Sequence, residues 1–256
     1  MSSASADQWL KHTVNQIETT INTVNGQLDA PTGQCSTEEN INSIEDEQNK
    51  WNEAGFISTE ISFLKQHEIY PTLPEEKFTH SINLNLVQFI NNGWTKEQVV
   101  STIQRTADIY AQCGIKVNQV KFIQTTAVED QVDISFQKDE DARLASMAPT
   151  TERPLVFYIR SNIEDENAFA WPRRMAPLPR RNTAFITSQV NNSQYQELRD
   201  DGYSATAHEL AHLYCDCPHE ESSTKNLLAG DVEYLSRDLT PAQCQIFKLS
   251  PLINKL

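Results

Sequence analysis

Two histidines four residues apart, with a glutamate directly after the first, set the strongest condition on what this chain can fold into: Ala207-His-Glu-Leu-Ala-His-Leu213. On a helix of 3.6 residues per turn, positions i and i+4 share a face, so His208 and His212 can reach one cation while Glu209 is directed at its open side. The rest of the fold must then act as a frame for that helix face. Three of the chain's six histidines lie between 208 and 219, which weighs against a helix that carries two by chance. A catalytic zinc site normally has three protein ligands and an open position. His219 is the expected third, because Cys215-Asp-Cys-Pro218 ends the helix and lets the chain double back. Cys215 and Cys217 compete for that place, but thiolate donates charge and weakens the metal's pull on water.

The 256 residues suit one sizeable domain, or a domain with a smaller appendage, and a hydrophobic content of 38% suffices for a core. No stretch approaches the ~20 apolar residues of a membrane helix. The opening Met-Ser-Ser-Ala-Ser-Ala-Asp lacks the basic and apolar regions of a signal peptide, so the cytoplasm or a signal-independent export route is expected. A net charge of -14 argues against nucleic acid or an anionic membrane as partner, since both require clustered positive potential. That charge is uneven: residues 1–76 hold 13 acidic against 3 basic side chains, a balance of -10. Five cysteines, Cys35, Cys113, Cys215, Cys217 and Cys244, leave at least one without an intramolecular partner, and one disulfide is expected among the last four.

Leu10, Val14, Ile17, Ile21, Val24 and Leu28 draw an apolar stripe along a helix over residues 6–28. Ser36 with Glu39 predicts a capping box for a second helix that carries Ile41, Ile44 and Trp51 and stops at Gly55, and a third helical piece is expected from about Ser58 to Glu68. Residues 1–76 thus read as an acidic helical extension. Its simplest role is a packing appendage that shields part of the following domain. The sharper reading is a partner-binding or inhibitory segment, in which Cys35 could reach the metal as a thiolate and block it; an inhibitory or immunity-type protein is the kind of partner expected.

From Lys77 the pattern changes. Thr79–Phe89 alternates as a strand, Thr95 with Gln98 opens a helix through Val99, Ile103, Ala107 and Tyr110, and Ile115–Ile123 is the next strand. That order predicts a βαβ unit with parallel strands. Leu155–Ile159, Ala168–Trp171 and Asn182–Thr187 read as further strands, and the motif helix begins near Tyr203 or Ser204. The loop Trp171-Pro-Arg-Arg-Met-Ala-Pro-Leu-Pro-Arg-Arg181 holds four arginines and three prolines. It reads as a solvated loop that offsets an acidic surface, as a substrate-contacting lip or as a processing site, and the residues alone leave all three open.

This order of elements resembles that of the metzincin metalloproteases, short bacterial type, over roughly residues 77–256. Asn226-Leu-Leu-Ala-Gly230 falls where that family places its Met-turn, the apolar floor beneath the metal. Leu239-Thr-Pro-Ala-Gln-Cys244 resembles the start of its closing helix, with Thr240 as cap, Pro241 at the first position and Gln243 reaching back. The resemblance implies an α+β fold: a twisted, mostly parallel sheet with an active-site helix and a C-terminal helix, preceded by a helical N-terminal region. There are departures. Cys215 stands where the family usually has glycine, Pro218 where it has its third ligand, with His219 one residue late, and Leu228 where it has methionine.

The function expected is a zinc-dependent endopeptidase. Zn2+ held by His208, His212 and His219 activates water, Glu209 is the general base, and a protein or peptide substrate lies extended along Ala168–Trp171. A bacterial effector or toxin role would suit a protease without a secretion signal. Two alternatives stand beside this: a zinc-binding interaction module without peptidase activity, and a thermolysin-like His-His-Glu hydrolase using Glu233, 21 residues after His212. Glu209 favours the first reading, because a purely structural zinc site has no use for a base there.

Overall fold

The computed structural model describes residues 37–71, 77–90, 92–126, 133–135, 138–162, 167–193, 196–200, 202–220, 225–230 and 237–256. In chain order these form α1 (Thr37–Glu53), β1 (Ile57–Phe63), α2 (Gln66–Ile69), β2 (His80–Ile90), α3 (Lys96–Ala111), β3 (Ile115–Thr126) and β4 (Asp133–Ile134). Then follow α4 (Glu140–Met147), β5 (Leu155–Ile159), β6 (Ser161–Asn162), β7 (Ala168–Trp171), β8 (Thr183–Thr187), α5 (Gln196–Asp200), α6 (Ala205–Cys215), α7 (Pro241–Lys248) and β9 (Asn254–Lys255). Ser43–Leu256 make one compact unit. The helix expected over residues 6–28 lies outside the described residues, as does Cys35. Among the described residues no helix is long and apolar enough to cross a membrane.

The βαβ unit forms where the alternation and the capping signal put it. Thr95 caps α3 by accepting from the Gln98 backbone at 3.2 Å, while the Gln98 side chain accepts from the Thr95 N–H at 2.8 Å. β2 and β3 then pair in parallel. The main sheet runs β1-β3-β2-β5-β8-β7: its four central strands are parallel, the outer strands β1 and β7 are antiparallel to their neighbours, and β9 adds a short antiparallel pairing to β2. β4 and β6 form a separate two-stranded parallel sheet.

Period-2 alternation gives the main sheet two apolar faces. Ile82, Leu84, Leu86, Val156, Tyr158, Ala184 and Ile186 face α3, α6 and α7, whereas Val87, Phe89, Leu155, Phe157, Ile159 and Phe185 face Trp51 of α1 and Leu144 of α4. On the second face, Phe169, Phe185, Phe157 and Phe89 stack across four strands with successive centroids 4.7, 5.2 and 6.4 Å apart, which fixes the lateral register by ring contact.

Most of the helix expected from about Ser58 to Glu68 is a strand instead, with a helical turn only at Gln66–Ile69. Ile57, Ile61 and Leu64 mimic helical spacing, but only Thr59 and Ile61 of β1 point inward, two residues apart, and the strand adds to the exposed edge of β3. Pairing with a preformed edge, together with three β-branched residues in a row of five, outweighed the local pattern. The second helix does run to the expected end before Gly55. The acidic stretch at Asp139–Asp141 opens α4, which sequence reasoning passed over; Asp141, Leu144 and Ala145 are its buried residues.

Cys113, just past α3, is bonded to Cys244 in α7, so one disulfide ties the βαβ unit to the C-terminal helix. Cys215 and Cys217 are joined as a second pair. Two disulfides therefore replace the one expected.

Candidate metal centre

α6 is buried along its length, with every residue from Ala205 to Tyr214 inside the protein. Such a helix needs its ends satisfied. At its start Ser204 accepts from the Ala207 N–H at 3.2 Å and also bonds the hydroxyls of Thr102 and Thr106 in α3, at 3.0 and 2.9 Å. The Tyr110 hydroxyl donates to the Ala207 carbonyl at 2.7 Å, and Tyr158 of β5 bonds Thr206 at 3.1 Å. The helix start and its rotation are thus set from two neighbouring elements. At its end Asp216 takes the left-handed conformation with φ of 52° while its N–H bonds the His212 carbonyl at 2.9 Å. An aspartate tolerates that conformation better than most residues. The chain turns back there, and the Glu220 N–H donates to the Leu228 carbonyl at 2.8 Å, which sets residue 219 against the turn at 226–229.

The result brings His208, His212 and His219 together. The His208 Nε2 atom lies 3.1 Å from Nε2 of His212 and 3.1 Å from Nε2 of His219. His208 and His212 are 5% and 9% exposed, and His219 closes the cluster from the solvent side. The Nδ1 atoms of the first two face carbonyl oxygens, Leu227 at 2.6 Å and Cys217 at 2.7 Å. A carbonyl can only accept, so each Nδ1 carries the proton and each Nε2 presents a lone pair. Burial pushes His208 down to about 3, with His212 and His219 adding to the effect, and His212 down to about 4, so both are neutral at pH 7. Two bare lone pairs at 3.1 Å repel unless a cation lies between them. The donor set therefore fits a metal ion, with the acceptor carbonyls holding the rings in place.

The turn that carries the Leu227 carbonyl is itself held. Asn226 and Gln243 exchange two side-chain hydrogen bonds, at 2.8 and 2.9 Å, and Asn226 Oδ1 also accepts from the Leu228 N–H at 2.9 Å. Gln243 completes the capping box of α7 with Thr240, as expected, and Pro241 takes the first position. Leu227 and Leu228 are fully buried in one apolar cluster with Leu210, Ala211 and Leu213 of the site helix.

Glu209 is 6% exposed on the same helix. Its charge adds to the burial that raises the Tyr110 hydroxyl far above its usual range. Cys215 and Cys217 are bonded to each other, and the backbone of Cys217 meets His212 through its carbonyl. Glu233 lies outside the described residues. Sequence reasoning missed the two carbonyl acceptors, since every residue type carries one, and it missed Gly230. A Cβ at 230 would lie 3.1 Å from Cβ, Cγ and Nδ1 of His219, so glycine is what lets the imidazole sit there.

No protein-family model matches the sequence, and no curated protein matches it. By structure the chain is similar to the crystal structure of metalloproteinase-II from Bacteroides fragilis, with a TM-score of 0.46 and 14% sequence identity. The match covers 69% of this chain and 54% of that one, so the chain spans about half the length of that solved protein.

Proposed function

We propose that the chain is a zinc-dependent endopeptidase of metzincin type. One observation carries the reading: three histidines converge while the Nδ1 protons of His208 and His212 are already committed to backbone carbonyls. Tetrahedral zinc with bonds of ~2.05 Å sets its ligand nitrogens roughly 3.3 Å apart, close to the 3.1 Å separations here. Held by three neutral imidazoles, the ion would supply a strong Lewis acid that brings the pKa of water to ~7.

Glu209 is the general base: its carboxylate takes a proton from the attacking water and returns it to the nitrogen of the leaving amine. The substrate backbone lies extended along β7, which among the described strands pairs only with β8 and so offers a free edge. Ala168 and Ala170 face the α6 side of the sheet, and their small side chains leave room between that edge and the site helix. A metal-binding module without peptidase activity is the competing reading. The buried carboxylate of Glu209 speaks against it, and the convergence of His219 supports three histidines over a His-His-Glu set with Glu233.

The test is incubation of the purified protein with a protein mixture, with and without a chelator, for the parent and Glu209→Gln. Fragments are expected from the parent, their appearance stopped by chelation and restored by zinc. The variant should keep its metal and cleave roughly 100-fold more slowly or worse. Cleavage that ignores the chelator, or a variant as fast as the parent, would overturn the reading.

A further inference from the structure

The four arginines of the loop after β7 divide into two pairs. Arg180 is turned inward: it bonds Asp139, lies 3.1 Å from Asp141, and its guanidinium sits 5.2 Å from the Trp171 ring centre. Arg181 reaches back toward the Ala176 carbonyl, and Arg153 donates to the carbonyls of Arg181 and Pro179 at 3.0 and 3.1 Å. That half of the loop is framework.

The other half faces out. Arg173 and Arg174 are exposed, and beside them Met175 and Leu178, at 69% and 70%, are the most exposed large apolar side chains among the described residues. Arg173 has no ion pair among the described residues. Arg174 donates its backbone N–H to Asp216 at 3.0 Å, and its side chain lies 3.7 Å from the same carboxylate while staying more than half exposed. Asp216 sits between His212 and His219, so this bond fastens the loop tip beside the candidate metal centre. The loop also begins where β7 ends, on the edge assigned above to the substrate.

We propose that Arg173, Arg174, Met175 and Leu178 form a specificity lip that selects peptides carrying an acidic residue next to an apolar one, to one side of the scissile bond. This rests on the peptidase reading. Arg173, without an ion pair among the described residues, and Arg174, more than half exposed beside it, favour a substrate carboxylate, and the thioether of Met175 adapts to varied apolar neighbours.

Short peptides identical except for Glu, Gln or Lys at each position in turn are the probes. They are given to the zinc-loaded full chain, to Arg173→Glu/Arg174→Gln, and to Arg143→Glu, an exposed charge reversal on α4 against the opposite face of the sheet. The parent should prefer Glu over Gln at one fixed position by roughly twofold to fivefold in kcat/KM. The double variant should lose that ratio and Arg143→Glu should keep it. A parent that cleaves without acidic preference, or a preference that survives the double variant, would overturn the lip and leave the peptidase reading standing. If no peptide is cut, binding of fluorescent Glu and Gln peptides to Glu209→Gln decides the lip separately: tighter binding of the Glu peptide that is lost on adding Arg173→Glu supports it, and equal binding overturns it. A dimer in sedimentation that dissociates in the double variant would seat a second copy on this loop and overturn it as well.

Discussion

His219 reaches the cluster because residue 230 leaves space for it. With a Cβ at 230 the imidazole must give by a few tenths of an ångström, which shifts its Nε2 relative to the other two donors. Gly230→Ala is therefore expected to fold normally and to weaken metal binding about tenfold, in the range seen when support around a ligand is disturbed. Competition with a chromogenic chelator measures this. An affinity equal to the parent's would mean that the ring does not depend on that contact. His208 and His212 were legible as a pair because helical periodicity needs nothing beyond their spacing. His219 was legible by residue type and by the helix stop before it. Gly230 left no sequence signal, since its neighbour in space lies eleven residues earlier and meets it only after the chain reverses at Asp216.

Among the elements, α3 and β5 set the start of the site helix, and the turn at 226–229 holds the His208 ring through the Leu227 carbonyl and itself hangs on α7 through the Asn226–Gln243 amide pair. Removing either amide strands the other in a buried setting, at a cost of roughly 1–3 kcal/mol. A double-mutant cycle with Asn226→Ala and Gln243→Ala should show a coupling of roughly 0.5–3 kcal/mol in urea unfolding. Each single change should also weaken metal binding, because the Leu227 carbonyl that receives the His208 Nδ1 proton shifts with the turn. Lost stability with unaltered metal affinity would reduce the pair to a structural role. The parallel core of the sheet was readable because its strands alternate and its helix is capped by Thr95 and Gln98. β1 was misread because the spacing of Ile57, Ile61 and Leu64 is helical, and what overrode it was the open edge of β3, whose paired residues lie 58 (Phe63 to Lys121) to 69 (Ile57 to Thr126) positions further along. Strand edges are a property of the assembled sheet, and no local window contains them.

Across the whole molecule, the Cys113–Cys244 bond joins two segments 131 residues apart in sequence, from the end of α3 to the middle of α7. A cross-link closing so long a loop restricts the unfolded chain strongly, with a typical stabilisation of roughly 2–4 kcal/mol. Its second end has a local consequence as well. Cys244 directly follows Gln243, which holds Asn226, which orders the turn whose carbonyl fixes the His208 ring. The double substitution Cys113→Ser/Cys244→Ser should thus lower the urea-unfolding free energy by roughly 2–4 kcal/mol and weaken metal binding more modestly, since α7 keeps its buried Phe247 and its capping box. Reducing agent alone is the less selective experiment, because it also opens the Cys215–Cys217 pair between the second and third histidines. Comparing reductant on the parent with reductant on the double variant separates the two bonds: metal affinity lost only on reduction of the variant belongs to Cys215–Cys217, and affinity already lost in the unreduced variant belongs to the long cross-link. A double variant with parental stability and parental metal affinity would show that the core between the βαβ unit and α7 holds the site without the bond.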